Sequence, residues 1–107
     1  MSKVIRLVQG DQRPYIKMEL LNADGTPVNV SSATVVVKFR AANTTTVLSV
    51  LPCQNLNTGT DGLVVFNFPG STLDVPAGNY EGEVEINFLG EYQTVYSTLQ
   101  FVVRQQF

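Results

Sequence analysis

The chain has no histidine and no tryptophan, a single cysteine, and only 15% charged residues, where a globular domain carries about 25%. Each shortage excludes something. Without histidine the commonest general base and the commonest transition-metal ligand are gone. One cysteine, Cys53, cannot close an internal disulfide, which fits folding in a reducing compartment. The net charge is −2 and the pI about 4.9. The basic residues Lys3, Arg6, Arg13, Lys17, Lys38, Arg40 and Arg104 are scattered along the sequence. No nucleic acid and no anionic membrane is therefore expected as a partner. No run approaches the 18 or so apolar residues of a membrane-spanning helix. The opening MSKVIRLVQGD has neither an apolar core nor a small-residue cleavage site, so no signal peptide is expected.

What the chain does have is alternation. Its 107 residues suit one domain, 1–107, and 44% hydrophobic content is ordinary for a globular protein. From Tyr80 to Phe88, the residues Tyr80, Gly82, Val84, Ile86 and Phe88 fall on one face and Glu81, Glu83, Glu85 and Asn87 on the other. That is a strand with one dry and one wet side. The same period appears at Val4–Val8, Tyr15–Leu21, Thr34–Arg40, Val47–Leu51, Leu63–Phe68 and Thr94–Val103. Asp24-Gly25, Asp61-Gly62, Pro69-Gly70 and Leu89-Gly90 punctuate these runs as turns. Thr26–Val30 reads as a short extended piece, which Pro27 confines to an edge. Pro52–Asp61 reads as loop or frayed strand. No window favours the helical period, apart from a single weak turn around 71–75. The expected fold is all-β: an immunoglobulin-like, two-sheet antiparallel β-sandwich of about seven to nine short strands.

The segment Pro76-Ala77-Gly78-Asn79-Tyr80 resembles a tyrosine corner, a turn whose tyrosine opens a strand and bonds back to the backbone. Asp74 is expected to hydrogen-bond a backbone N–H there. The strand after the corner should pair with Thr34–Arg40, setting Lys38 and Arg40 against Glu81, Glu83 and Glu85.

Few residues invite a chemical reading. The glutamate row is exposed and spaced by two, unlike a glycosidase pair, which needs one carboxyl with a raised pKa in a cleft. Asp11, Asp24, Asp61 and Asp74 occupy separate turns and lack the dense spacing of a calcium cage. Cys53 has no histidine partner and reads as a small, half-buried residue. No catalytic residue, cofactor or metal is expected. Tyr15, Tyr92 and Tyr96 are candidates for an exposed contact surface. Edge strands offer unpaired backbone groups, which adds Val4, Ile5 and Arg6 of the first strand and the terminal Phe107. On that reading, removal of residues 1–8 should leave a folded domain.

Taken in order, Gln9-Gly10-Asp11, Pro14–Arg40, DGLVVFNF (Asp61–Phe68), PAGNYEGEVEI (Pro76–Ile86) and LQFVV (Leu99–Val103) resemble the N-terminal Ig-like domain of tailed-phage baseplate upper proteins. The resemblance implies a non-enzymatic virion structural protein, assembled in the host cytoplasm. Its partners would be other phage structural proteins and copies of itself. In that family further chain follows the domain. Here the last strand ends near the final residue, so the expectation is a small multi-copy subunit acting by surface contacts. A tail, baseplate or fibre-attachment component and a capsid decoration subunit both fit. A carbohydrate- or receptor-binding module using the tyrosines is the alternative.

Overall fold

A computed structural model describes residues 4–95 and 98–106. Among these residues the chain forms nine strands and no helix. They are β1 (Val4–Val8), β2 (Ile16–Glu19), β3 (Thr34–Ala41), β4 (Ser49–Pro52), β5 (Gln54–Asn55), β6 (Leu63–Phe66), β7 (Gly78–Phe88), β8 (Glu91–Thr94) and β9 (Leu99–Arg104). The larger sheet runs β1-β9-β7-β3-β4, with β8 also on β7. The smaller sheet is β2-β6-β5. The fold is a β-sandwich, as the alternation predicts.

β7 is the axis of the larger sheet. Eight of its residues, Tyr80 to Asn87, pair with β3 along one edge. Its other edge is shared, Gly78–Gly82 with β9 and Glu85–Phe88 with β8. Of the strand expected from Thr94 to Val103, Thr94 closes β8 and Leu99–Val103 belongs to β9. Glu85 faces Thr94 while Gly82 faces Leu99, so three steps along β7 are matched by five along the returning chain. On either side of this offset the inward set stays in phase: Val95 and Leu99 pack against the core, and Phe101 and Val103 are buried.

Three other expectations change in detail. β1 runs parallel to β9, so the sandwich is antiparallel except for this pair. Thr26–Val30 forms no strand beyond an isolated bridge between Leu21 and Pro27, consistent with the missing donor of Pro27. Residues 70–73 form hydrogen-bonded turns rather than a helical turn, with Thr72 N donating to Pro69 O and Asp74 N to Ser71 O. The frayed segment after Pro52 supplies the short β5, third strand of the smaller sheet.

The core is aromatic at its centre. Phe39, Tyr80 and Phe101 come from the larger sheet, Phe66 from the smaller, and Phe68 follows β6. The rings of Phe39 and Tyr80 stack at 5.1 Å and 9°. Phe68 meets Phe39, Phe66 and Phe101 edge-on at 6.2, 5.7 and 5.8 Å. Edge-to-face and offset stacks are the favoured aromatic geometries, each contributing about 0.5–1.5 kcal/mol beyond area burial. The sheets are thereby joined through Phe68, which has no exposed surface.

The tyrosine corner is present. Tyr80 Oη donates to the carbonyl of Pro76 at 2.6 Å. Among the described residues the Asp74 carboxylate accepts no backbone N–H at the corner. The second tie at the corner comes from Gln9, whose Nε2 donates to Val75 O at 2.8 Å, fastening the end of β1 to the corner. Asp61-Gly62 shows why a turn glycine is required: at φ +71° a Cβ on Gly62 would lie 2.6 Å from the carbonyl oxygen of Leu20.

Candidate interaction surface

The outward face of the larger sheet is laid out by register. Arg40 lies opposite Glu81 and Lys38 opposite Glu83. The ion pairs that form are Arg40 Nε–Glu81 Oε1 at 3.0 Å and, on the diagonal, Lys38 Nζ–Glu85 Oε2 at 2.9 Å. The hydrogen bond and the charge of Glu85 hold the Lys38 ammonium above its ordinary pKa. The glutamate row is therefore sheet-face pairing, as the sequence suggested, and two of its three members already have partners.

Two aspartates and the cysteine have equally local explanations. Asp24 accepts from Thr26 N at 3.0 Å and Thr26 Oγ1 at 2.6 Å, and its pKa is lowered by those bonds. Asp61 accepts from Asn57 Nδ2 at 3.0 Å and Leu63 N at 3.1 Å, with the same result. Both are turn-closing carboxylates. Burial pushes the Cys53 thiol up to about 12, so it stays protonated and a poor nucleophile. Among the described residues no cluster of three histidines, cysteines or carboxylates is placed to hold a metal ion.

The described residues among those proposed for contact come from different parts of the sandwich. Val4 and Arg6 are exposed on the outer face of β1, at the end of the larger sheet. Ile5 turns the other way and packs against the core, so its side chain belongs to the interior rather than to a docking surface. Alternation about Leu7, which is buried, requires this. Removal of residues 1–8 would take the buried Leu7 from the core and β1 from β9. Tyr15 is 68% exposed just before β2, and Tyr92 is 66% exposed on β8. The two strands belong to different sheets. Tyr96 and Phe107 lie outside the described residues.

Sequence reading missed two exposed apolar features. Val47, Leu48 and Val50 stand out on or beside β4, the other end of the larger sheet, each more than 40% exposed. Their signal was available: no charged residue occurs from Ala41 to Thr60, whereas edges are ordinarily protected by charge. The second is Leu89, 88% exposed at the tip of the β7–β8 hairpin. Leu89 and Gly90 have φ of +56° and +104°, the signs required of both central residues in a type I′ turn. Asn or Gly is the usual first residue; leucine there costs about 1 kcal/mol or more.

No protein-family model and no curated protein matches this chain. Among solved structures it is similar to the N-terminal domain of phage TP901-1 ORF48, with a TM-score of 0.68 and 15% sequence identity. The match covers 95% of this chain and 85% of that one. At that identity the likeness bears on the fold, and it agrees with the two-sheet sandwich described above.

Proposed function

We propose that this protein is a non-enzymatic structural component of a bacteriophage particle, working through protein–protein contacts. The observation that supports the reading is the likeness in fold to the phage TP901-1 ORF48 domain, which spans nearly the whole chain. The surface supports it. The carboxylates with lowered pKa close turns, the cysteine is held protonated, and the conspicuous exposed groups are apolar: Val4, Val47, Leu48, Val50, Leu89 and Tyr92. Such residues suit burial against a neighbouring protein. Partners on this reading are other virion proteins and further copies of the chain, assembled in the host cytoplasm.

Mass spectrometry of purified particles, with stoichiometry, tests the proposal. The polypeptide is expected in the particle. A copy number in the hundreds would place it on the capsid, and small multiples of three or six at the tail, neck or baseplate. Its absence from particles would end the structural reading. A sugar-binding module remains the competing class. It predicts saturable glycan binding that Tyr92→Ala abolishes.

A further inference from the structure

We propose that the outer edge of β8 pairs antiparallel with the same edge of a second copy, on a two-fold axis at Tyr92. This names a surface for the contact function above and rests on that reading only in taking the chain to act by contact.

The edge is open. Val95 N donates to Val84 O at 2.9 Å, so alternate residues of the returning chain bond to β7. Gln93, opposite Ile86, is the next of that set, and the N–H and C=O groups of Tyr92 and Thr94 face away. Among the described residues no strand pairs with them, and all four residues of β8 are exposed. β8 has no lysine, no proline and no bulge within it, and Glu91 is its one charge.

Beside this edge lies a groove of about 490 Å³ lined by Leu21, Asn22, Ala23, Val28 and Gln93 to Val95, none of them charged. At the other end of the same strand stands Leu89, a large apolar side chain almost wholly in water on a left-handed backbone. In an isolated chain neither property of Leu89 is of use, and an observed backbone outlier of this kind points towards function.

The spacing makes the surface complementary to itself. Tyr92 lies three residues after Leu89 and three before Val95. A two-fold axis at Tyr92 therefore sets Leu89 of each copy against Val95 and its groove in the other. Strand alternation puts Glu91, Gln93 and Val95 on the side turned toward the groove, and Tyr92 on the opposite side. The two tyrosines meet across the axis as a cross-strand aromatic pair. Glu91, the one charge on β8, falls opposite Gln93, so the net negative charge of the chain brings no like-charge contact into the seam. The uncharged groove suits the apolar Leu89 of a second copy better than it suits a charged partner strand. The contact is isologous and closes at two copies.

Sedimentation of the intact chain, with three variants, tests this. Wild type is expected to dimerise in a concentration-dependent way. Leu89→Asn should weaken association at least tenfold while leaving the fold intact or firmer, because asparagine suits the left-handed turn. In a Cys53→Ser background, Tyr92→Cys should form an intermolecular disulfide under mild oxidation, and Tyr15→Cys should not. A wild-type monomer up to roughly 1 mM, unchanged association of Leu89→Asn, or equal cross-linking at positions 15 and 92 would each overturn the proposal. If the monomeric chain is nonetheless found in purified particles, the structural role stands and the β8 dimer does not.

Discussion

Replacing Tyr80 by phenylalanine removes one oxygen from the corner that sets the course of β7. The ring remains stacked on Phe39 at 5.1 Å, so packing is conserved and the change isolates the bond from Tyr80 Oη to Pro76 O. An intramolecular hydrogen bond contributes about 0.5–1.5 kcal/mol net, and an acceptor left dry costs up to about 3 kcal/mol. Pro76 is exposed, so water reaches its carbonyl and the lower figure governs. Tyr80→Phe should therefore destabilise by about 1 kcal/mol. For a domain of this size that lowers Tm by roughly 4–8 °C. Tyr80→Ala, which also removes the ring, should cost about 3–5 kcal/mol. The phenol carries a pH signature as well. Burial raises its pKa above the usual 10.0. The folded state keeps its proton after the unfolded chain has released its own, so the contribution is complete below pH 10 and is lost as pH climbs through the raised value. The gap between wild type and Tyr80→Phe should narrow in that alkaline window. Urea denaturation of both proteins, at neutral pH and above pH 10, measures all of this. A Tyr80→Phe protein within about 0.3 kcal/mol of wild type at neutral pH would refute the claim that the corner bond holds β7 in place.

Gly82→Ala should destabilise by about 1–3 kcal/mol through overpacking. A Cβ at position 82 would lie 2.8 Å from Val37 Cγ1 and 3.0 Å from Phe101 Cε2, both fully packed, and thermal denaturation reads the loss. Cys53 should resist alkylation in the native protein at pH 8 and react freely once unfolded, because its thiol is held at about 12 against an ordinary 9.0. Its share of stability is present below about pH 9 and falls as pH rises towards 12, and rapid native-state labelling would contradict the burial. A double-mutant cycle on Lys38 and Glu85 should give a coupling of only about 0.2–1 kcal/mol, shrinking with added salt, since both side chains retain solvent contact.

Strand identity was legible in the sequence because a period of two and turn glycines are local properties. Val35, Val37 and Phe39, or Val84 and Ile86, declare their buried side without knowledge of what buries them. The corner was legible for the same reason, since Pro76 to Tyr80 is a local motif closed by a local bond. The charge ladder followed once β3 and β7 were taken as neighbours. The lack of histidine and the single cysteine narrowed the chemistry without any structure. Pairing across long separations was not legible. The parallel union of β1 with β9 and the two-residue offset between β8 and β9 depend on which backbone edges remain free after the sandwich closes. The side chain of Ile5 packs against the core, as its parity with Leu7 indicates, so within β1 the exposed side chains are Val4 and Arg6. Leu89 looked like any apolar residue in a hairpin. Only the assembled structure shows it left-handed, in water, and spaced from a neutral groove by the length of one short strand. Local chemistry thus determined the elements and their buried faces. Which edges stay open, and so where a neighbour can dock, was decided by tertiary packing, because an edge exists only when every other strand has taken its place.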